Sequence, residues 1–206
     1  MKQGASRHAL RDRADDLYET PAVCIEAAIR DGIIPAPEDI GGAIWEPSAG
    51  RGAISRVLTA AGYTVVATDL CDHQGRDDGI TTHVDFLMER RAPDRCAAIV
   101  TNPPFKLADE FIRHGLSIAP RVVVLLRAMA IEGASRSDLI DHHLRHYWIG
   151  IDRPPAMHRE GWTGNRLSNS GAPFAWFDFW AEKRPPGVDI ALHRIWWDPR
   201  KRKGDV

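Results

Sequence analysis

Ala43-Ile-Trp-Glu46-Pro-Ser-Ala-Gly50-Arg-Gly52 is a short apolar run that stops at a carboxylate and turns through two glycines. The next segment, Ala53 to Ala61, carries Ile54, Val57, Leu58 and Ala61 at helical spacing and ends at Gly62. Tyr63-Thr-Val-Val-Ala-Thr68 is then a second apolar run, closed by Asp69. Strand, glycine turn, helix and strand in this order predict two parallel strands joined by a crossover helix. Gly50 and Gly52 let the main chain approach a ligand closely at that turn.

The same alternation continues downstream. Thr81-Thr-His-Val84 is a weak third strand ending at Asp85-Phe86, and Cys96-Ala-Ala-Ile-Val-Thr101 is a fourth ending in Asn102-Pro-Pro-Phe105. Leu107 to Ile118 reads as a helix and Arg121 to Leu126 as a fifth strand. Strands that are apolar almost throughout, alternating with helices, predict a mostly parallel sheet covered on both faces: an α/β domain. Upstream, Ala22 to Ile29 suits a helix opening just after Pro21, with Pro35, Pro37 and Gly41-Gly42 in the connector.

After a helical Ser135–Leu144 the pattern changes. His146–Ile151 and Phe174–Glu182 read as two strands, expected to pair antiparallel at the sheet edge. Between them, residues 152–173 are rich in Pro, Gly, Asn, Ser and Arg and have no periodicity. A connection of that length inside one domain is functional or disordered. Residues 1–16 are polar and expected to be a flexible arm. No repeat or boundary divides the chain, so residues 1–206 are read as one domain.

Composition bounds the function. The 206 residues are 44% hydrophobic and 27% charged, which excludes a disordered or coiled-coil chain. The longest aliphatic run, Val122 to Leu126, is far short of the roughly 20 residues of a membrane span. The first twenty residues hold no apolar secretory core. Cys24, Cys71 and Cys96 lack metal-type spacing, so the reading is a reduced cytoplasmic compartment with no membrane partner. The net charge of −1 gives no global basic footprint for nucleic acid. The cations, however, are 22 Arg against 5 Lys. That bias suits phosphates and base edges, and it equally suits a GC-rich coding sequence.

In an open α/β sheet, ligands bind outside the carboxyl ends of the strands. Four strand ends here carry polar or glycine-rich sequence and would converge on one crevice. The first, Glu46 to Gly52, is not a complete G-x-G-x-x-G fingerprint, because Ser55 stands where the third glycine belongs. Together with Asp69, placed to accept from ribose hydroxyls, it fits any nucleoside-containing cofactor. Asp85-Phe86 offers either an acceptor and an aromatic face to an adenine ring or a plain helix cap. Asn102-Pro-Pro-Phe105 is the specific signal. Its two prolines stiffen the backbone and remove two donors, leaving the Asn102 amide oxygen and Pro103 carbonyl as acceptors beside the flat ring of Phe105. That set suits an exocyclic amino group on a planar ring.

On these residues the sequence resembles the S-adenosylmethionine-dependent amino-methyltransferases with an N-P-P-[FY] motif. It is most similar to the gamma-order adenine-N6 DNA methyltransferases and their small phage- and prophage-encoded members, the latter through Ala175-Trp-Phe-Asp-Phe-Trp180. The resemblance runs from Leu17 to Leu126. It implies a Rossmann-like class I methyltransferase fold with a mostly parallel seven-stranded sheet and an antiparallel edge, binding S-adenosyl-L-methionine. Carried over, Tyr18, Thr20 and Pro21 would cradle the methionine moiety, and Glu46, Pro47, Ser48, Gly50 and Gly52 would form the cofactor loop. Asp69 with Leu70 would hold the ribose, Asp85 with Phe86 the adenine, and Asn102, Pro103, Pro104 and Phe105 would be catalytic, with Asn102 also touching cofactor. The implied acceptor is the N6 amino group of adenine in DNA. The alternatives are RNA, cytosine N4, a protein glutamine amide, or a silent cofactor-binding subunit.

The segment after Phe105 is mostly needed to finish the sheet, so no separate target-recognition domain is expected. Residues 152–173, with Arg153, His158, Arg159, Trp162, Asn165, Arg166 and Asn169, would be a target-contacting lid or a solvated loop. Cytosine-C5 chemistry needs a Pro-Cys nucleophile, and the three cysteines follow Val, Leu and Arg. His142, His143 and His146 have no acidic or thiol partner, so no metal site is expected. Trp176, Trp180, Trp196 and Trp197 read as packing, and Arg200-Lys-Arg-Lys203 as a solvated or phosphate-touching tail.

Overall fold

The computed structural model describes residues 17–157 and 169–201. The 1–16 arm, the lid residues His158, Arg159, Trp162, Asn165 and Arg166, and Arg202 and Lys203 of the tail lie outside the described residues. Four helices, α1 (Ala22–Arg30), α2 (Ala53–Ala60), α3 (Ala108–Ile118) and α4 (Ser137–His142), flank one sheet. Its strands are β1 (Ala43–Glu46), β2 (Val65–Thr68), β3 (Ile80–Thr81), β4 (Cys96–Thr101), β5 (Arg121–Arg127), β6 (Leu144–Gly150), β7 (Phe174–Trp180) and β8 (Ala191–Ile195). Their order is β3-β2-β1-β4-β5-β7-β6-β8, and every strand but β7 runs the same way.

The α/β class and the mostly parallel sheet agree with the sequence reading, and three details differ. The sheet has eight strands, not seven: β8 pairs parallel with β6, as His146 faces Ala191 and Gly150 faces Ile195. The antiparallel strand lies inside the sheet, not at its edge. β7 pairs with β5 on one side and β6 on the other. The cause is composition: Phe174 to Phe179 are all buried, a two-faced pattern that belongs in the interior. The alternating Ala191-Leu-His-Arg-Ile195, with Leu192 66% exposed, fits an edge strand with one wet face. The third strand is two residues long and ends before His83, whose φ of 62° is incompatible with a strand.

Alternate residues along each strand feed two cores. Ile44, Ala98, Val100, Val123 and Leu125 pack under α1 and α2, while Trp45, Ile99, Val122, Val124 and Leu126 pack under α3 and α4. Trp176 and Trp197 are fully buried, as expected of packing residues, whereas Trp180 is partly exposed. The Trp176 indole donates to the Cys24 carbonyl of α1 at 3.1 Å.

One charged pair ties α1 to this frame. Arg121, opening β5, donates through Nε and Nη2 to both oxygens of Asp178 on β7, at 2.8 and 2.9 Å. Its Nη2 also reaches the Ile33 carbonyl at 2.7 Å, just beyond α1. Asp178 is 1% exposed. Removing one partner of a buried pair leaves a charge without compensation, at a cost of about 3–5 kcal/mol. Arg121→Ala is therefore expected to lower the urea midpoint by an amount corresponding to about 3 kcal/mol or more, and a midpoint within error of wild type would contradict the pair's role.

Candidate active site

The parallel strands place their carboxyl ends on one edge, and a cavity of about 630 Å³ opens there, within the usual size for a small-molecule site. Its wall includes Tyr18, Glu46, Asp69, Asp85, Asn102 and Phe105, contributed by five separate segments. Thr20, Pro47, Ser48, Gly50, Leu70, Phe86 and Pro104 also line it, whereas Pro21, Gly52 and Pro103 do not. Pro21 instead stands at the N-terminus of α1.

The loop after β1 is held by two bonds to the end of β2. The Gly50 N–H donates to Asp69 Oδ2 at 2.7 Å, and the Ala49 N–H donates to the Thr68 carbonyl at 3.0 Å. Gly50 and Gly52 have φ of 58° and 89°, so the turn needs left-handed backbone at both. A Cβ on Gly50 would meet the Leu17 side chain at 2.6 Å, and one on Gly52 would meet the Asp77 carboxylate at 2.5 Å. Gly52 thus shapes the turn from behind the cavity.

Glu46 is fully enclosed, and its Oε2 accepts from the Ser55 N–H at 2.8 Å, joining the end of β1 to the first turn of α2. Burial pushes this carboxyl well above the usual value of 4.5, outweighing the Ser55 bonds that oppose it. Asp69 uses both oxygens on the main chain, accepting from the Gly50 and Cys71 N–H groups, the latter at 2.8 Å. Each oxygen keeps a second lone pair for a ligand hydroxyl. His73 Nε2 stands 3.5 Å from Asp69 Oδ1. Asp69, Cys71 and His73 bring one ligating atom each within 4.8 Å of one another, a grouping the sequence reading did not anticipate.

Of the two roles left open by the sequence, Asp85 takes the cap, and Phe86 presents no free face to an adenine ring. Asp85 caps a short 3-10 turn, its Oδ1 accepting from the Leu87 N–H at 3.1 Å. The Phe86 ring is 2% exposed and packed by Trp45, Phe111 and His114, so it is wall rather than a free stacking face.

Asn102 is the most constrained polar group in the cavity wall. Its Nδ2 donates to Thr20 Oγ1 at 3.1 Å and to the Tyr18 carbonyl at 3.4 Å, with Met157 Sδ at 3.8 Å. Its Oδ1 is buried and, among the described residues, accepts no hydrogen bond. Ser48 braces the neighbouring backbone through a 2.6 Å bond to Thr101 Oγ1. Phe105 packs its ring against Tyr18 with centroids 5.5 Å apart. Two residues here escaped the sequence reading. Arg127 holds its guanidinium carbon 5.3 Å from the Phe105 centroid. Its signal was legible as a cation at the carboxyl end of an apolar strand. Met157 gave no such signal, because it sits in a segment without periodicity. Of that segment, the described ends meet as a stem: Pro155 bridges Asn169, the Ser170 N–H donates to the Pro154 carbonyl at 2.8 Å, and Arg153 donates to the Gly171 carbonyl.

No protein-family model matches the chain, and no curated protein matches it in sequence. Solved structures match it in shape. A candidate RNA methyltransferase from Pyrococcus horikoshii superposes with a TM-score of 0.56 at 14% identity, over 79% of this chain and 85% of that one. The methyltransferase subunit of a type I restriction-modification system from Streptococcus thermophilus gives 0.56 at 14% identity over 87% of this chain, which spans only 47% of that subunit. A 23S rRNA methyltransferase, ErmE, gives 0.52 at 12% identity over 82% and 70%. The chain shares its fold with these three structures. Among the described residues no helix is long and apolar enough to cross a membrane.

Glu46 supplies a test independent of any ligand. Because its folded-state carboxyl titrates above the unfolded value of 4.5, the unfolded chain releases the proton first and stability falls as pH rises from about 4.5 through the folded value. Glu46→Gln keeps an acceptor for Ser55 and removes the titration. Denaturant melts are expected to favour Glu46→Gln over wild type progressively from pH 5 to pH 8; a pH-independent difference would contradict this.

Proposed function

We propose that this protein transfers a methyl group from S-adenosyl-L-methionine to the exocyclic N6 amino group of adenine in DNA. The observation that carries this reading is the Asn102 amide. Thr20 and Tyr18 take its N–H donors, which aims Oδ1 as a buried acceptor with no partner among the described residues. A buried acceptor left unpaired costs about 1–3 kcal/mol, so the site is poised for a donor to complete it. An amino group on a planar base lying against Phe105 is such a donor.

The residues of the cavity fit the cofactor. The glycine turn offers backbone that a side chain would block, as the contacts of a Cβ on Gly50 indicate. Asp69 offers oxygen lone pairs at the next strand end, and Tyr18 and Thr20 close the cavity near Asn102. When bound, the cofactor supplies an electrophilic methyl on a sulfonium. The chain's own residues position the nucleophile. The adenine amino nitrogen is a weak nucleophile because its lone pair is delocalised into the ring. The acceptor at Asn102 Oδ1 would favour the more tetrahedral, electron-rich nitrogen; direct in-line transfer would form the N–C bond as the S–C bond breaks, leaving a neutral thioether, and the nitrogen would then give up one proton to water. Positioning and fixed dipoles supply the acceleration. A duplex target would be flipped out of the stack for a few kcal/mol, offset in part by stacking on Phe105 at roughly 1–3 kcal/mol. Two of the similar structures are named as RNA methyltransferases and a third as the methyltransferase subunit of a restriction-modification system, which agrees with a nucleic-acid acceptor.

Asn102→Ala is expected to abolish transfer of labelled methyl to DNA while leaving the cofactor-induced rise in melting temperature intact. Mass spectrometry of digested DNA, RNA and bulk protein identifies the acceptor. Label in RNA or protein would keep the chemistry and replace the substrate, and loss of cofactor binding along with transfer would overturn the role given to Asn102.

A further inference from the structure

Arg127 ends β5, next to the strand that carries Asn102-Pro-Pro-Phe105. Its side chain is exposed, and its one specific contact among the described residues is the Phe105 ring. Other arginines on this side of the sheet are committed: Arg113 to Asp138, and Arg136 to Asp109 and the Ala130 carbonyl. Among the described residues Arg127 has no carboxylate partner. An interaction through the π face of an aromatic ring leaves the in-plane N–H donors of a guanidinium available, and it limits the freedom those donors would lose on binding. Lys106, the neighbour of Phe105 in the chain, is also exposed and lines the cavity mouth. Leu107 and Met129, 40% and 65% exposed, lie on the turns that follow Phe105 and Arg127. Among the described residues, two cations without an ion pair thus stand beside the ring proposed to stack the target, Lys106 with Leu107 in the cavity wall and Arg127 over the ring itself.

We infer that Arg127 is a phosphate-binding residue that grips the backbone of the polynucleotide acceptor beside the base to be methylated. The inference rests on the nucleic-acid reading above. A base lying against Phe105 is joined to its own phosphate through a single sugar, and Arg127 is the cation held over that same ring. The planar fork matches two phosphate oxygens at once, which a lysine cannot reproduce. The contact is sequence-independent and fixes register, not specificity. It also gives a protein of near-zero net charge a local grip on an anionic chain.

The test measures binding of a fluorescent adenine-containing oligonucleotide to the full chain in the presence of cofactor, across a series of salt concentrations, for wild type, Arg127→Ala and Arg127→Lys. Losing one phosphate contact is expected to weaken binding and to flatten the slope of log affinity against log salt by about 0.7–0.9. Arg127→Lys is expected to restore the slope while recovering only part of the affinity, and cofactor affinity is expected to stay at the wild-type value in both. Unchanged slope and affinity in Arg127→Ala would overturn the inference alone. A parallel loss of cofactor affinity would assign Arg127 to packing and overturn it too. A wild type that binds cofactor and no DNA or RNA would remove the nucleic-acid acceptor, and this inference with it.

Discussion

The hydrogen bond from Asn102 Nδ2 to the Tyr18 carbonyl decides which end of one amide faces the cavity. An asparagine amide can present either a donor or an acceptor, and the two ends are close to isosteric. The Thr20 hydroxyl can donate or accept, but rotation by half a turn would set the amide oxygen against the Tyr18 carbonyl oxygen. The remaining arrangements serve that orientation. Pro103 and Pro104 stiffen the backbone that carries the amide, Ser48 and Thr101 lock the adjoining strand end, and the Tyr18 ring packs on Phe105. The sheet places Asn102 at the carboxyl end of β4, and the pair Arg121–Asp178 holds the segment beyond α1 against β5 and β7.

The cofactor-side loop follows a different logic, in which charge is directed at the main chain. Asp69 and Glu46 each accept from backbone N–H groups, Asp69 to fix the glycine turn and Glu46 to fix the start of α2. Both carboxylates therefore shape the cavity whether or not they touch a ligand. Asp69 combines shape with spare acceptor capacity facing the cavity; Glu46, fully enclosed, is chiefly a brace.

β1, β2, β4 and β5 were readable because each is a short apolar run ending in an abrupt polar or glycine signal, and because local spacing alone defines them; β3, expected at Thr81–Val84, is only Ile80–Thr81. β1 and β4 match the expected residues to the position. The place of β7 was less readable from local pattern. Phe174 to Trp180 reads as a strand, but which neighbours it takes depends on a pairing with β5 that spans some fifty residues of intervening chain. β8 was missed because Ala191-Leu-His-Arg-Ile195 alternates weakly and carries two polar residues of its five. In the site, residues held by backbone geometry were legible from motif spacing. Arg127 and Met157 were not, because a contact with Phe105 or Asn102 exists only after β4, β5 and the stem of the long connection come together.

Thr20 and Asn102 are 82 residues apart in the chain. Contacts of such separation carry a closure cost that local structure does not offset until the intervening elements have docked. The segment around Tyr18 and Thr20 lies ahead of α1 and is tied to the site by its bonds to Asn102 and by the Tyr18–Phe105 packing. Fraying there would leave the eight-stranded sheet intact while the amide lost its bearings. A partly loosened molecule would then keep its spectroscopic signature of folding and fall silent as a catalyst, its competence melting before its architecture does.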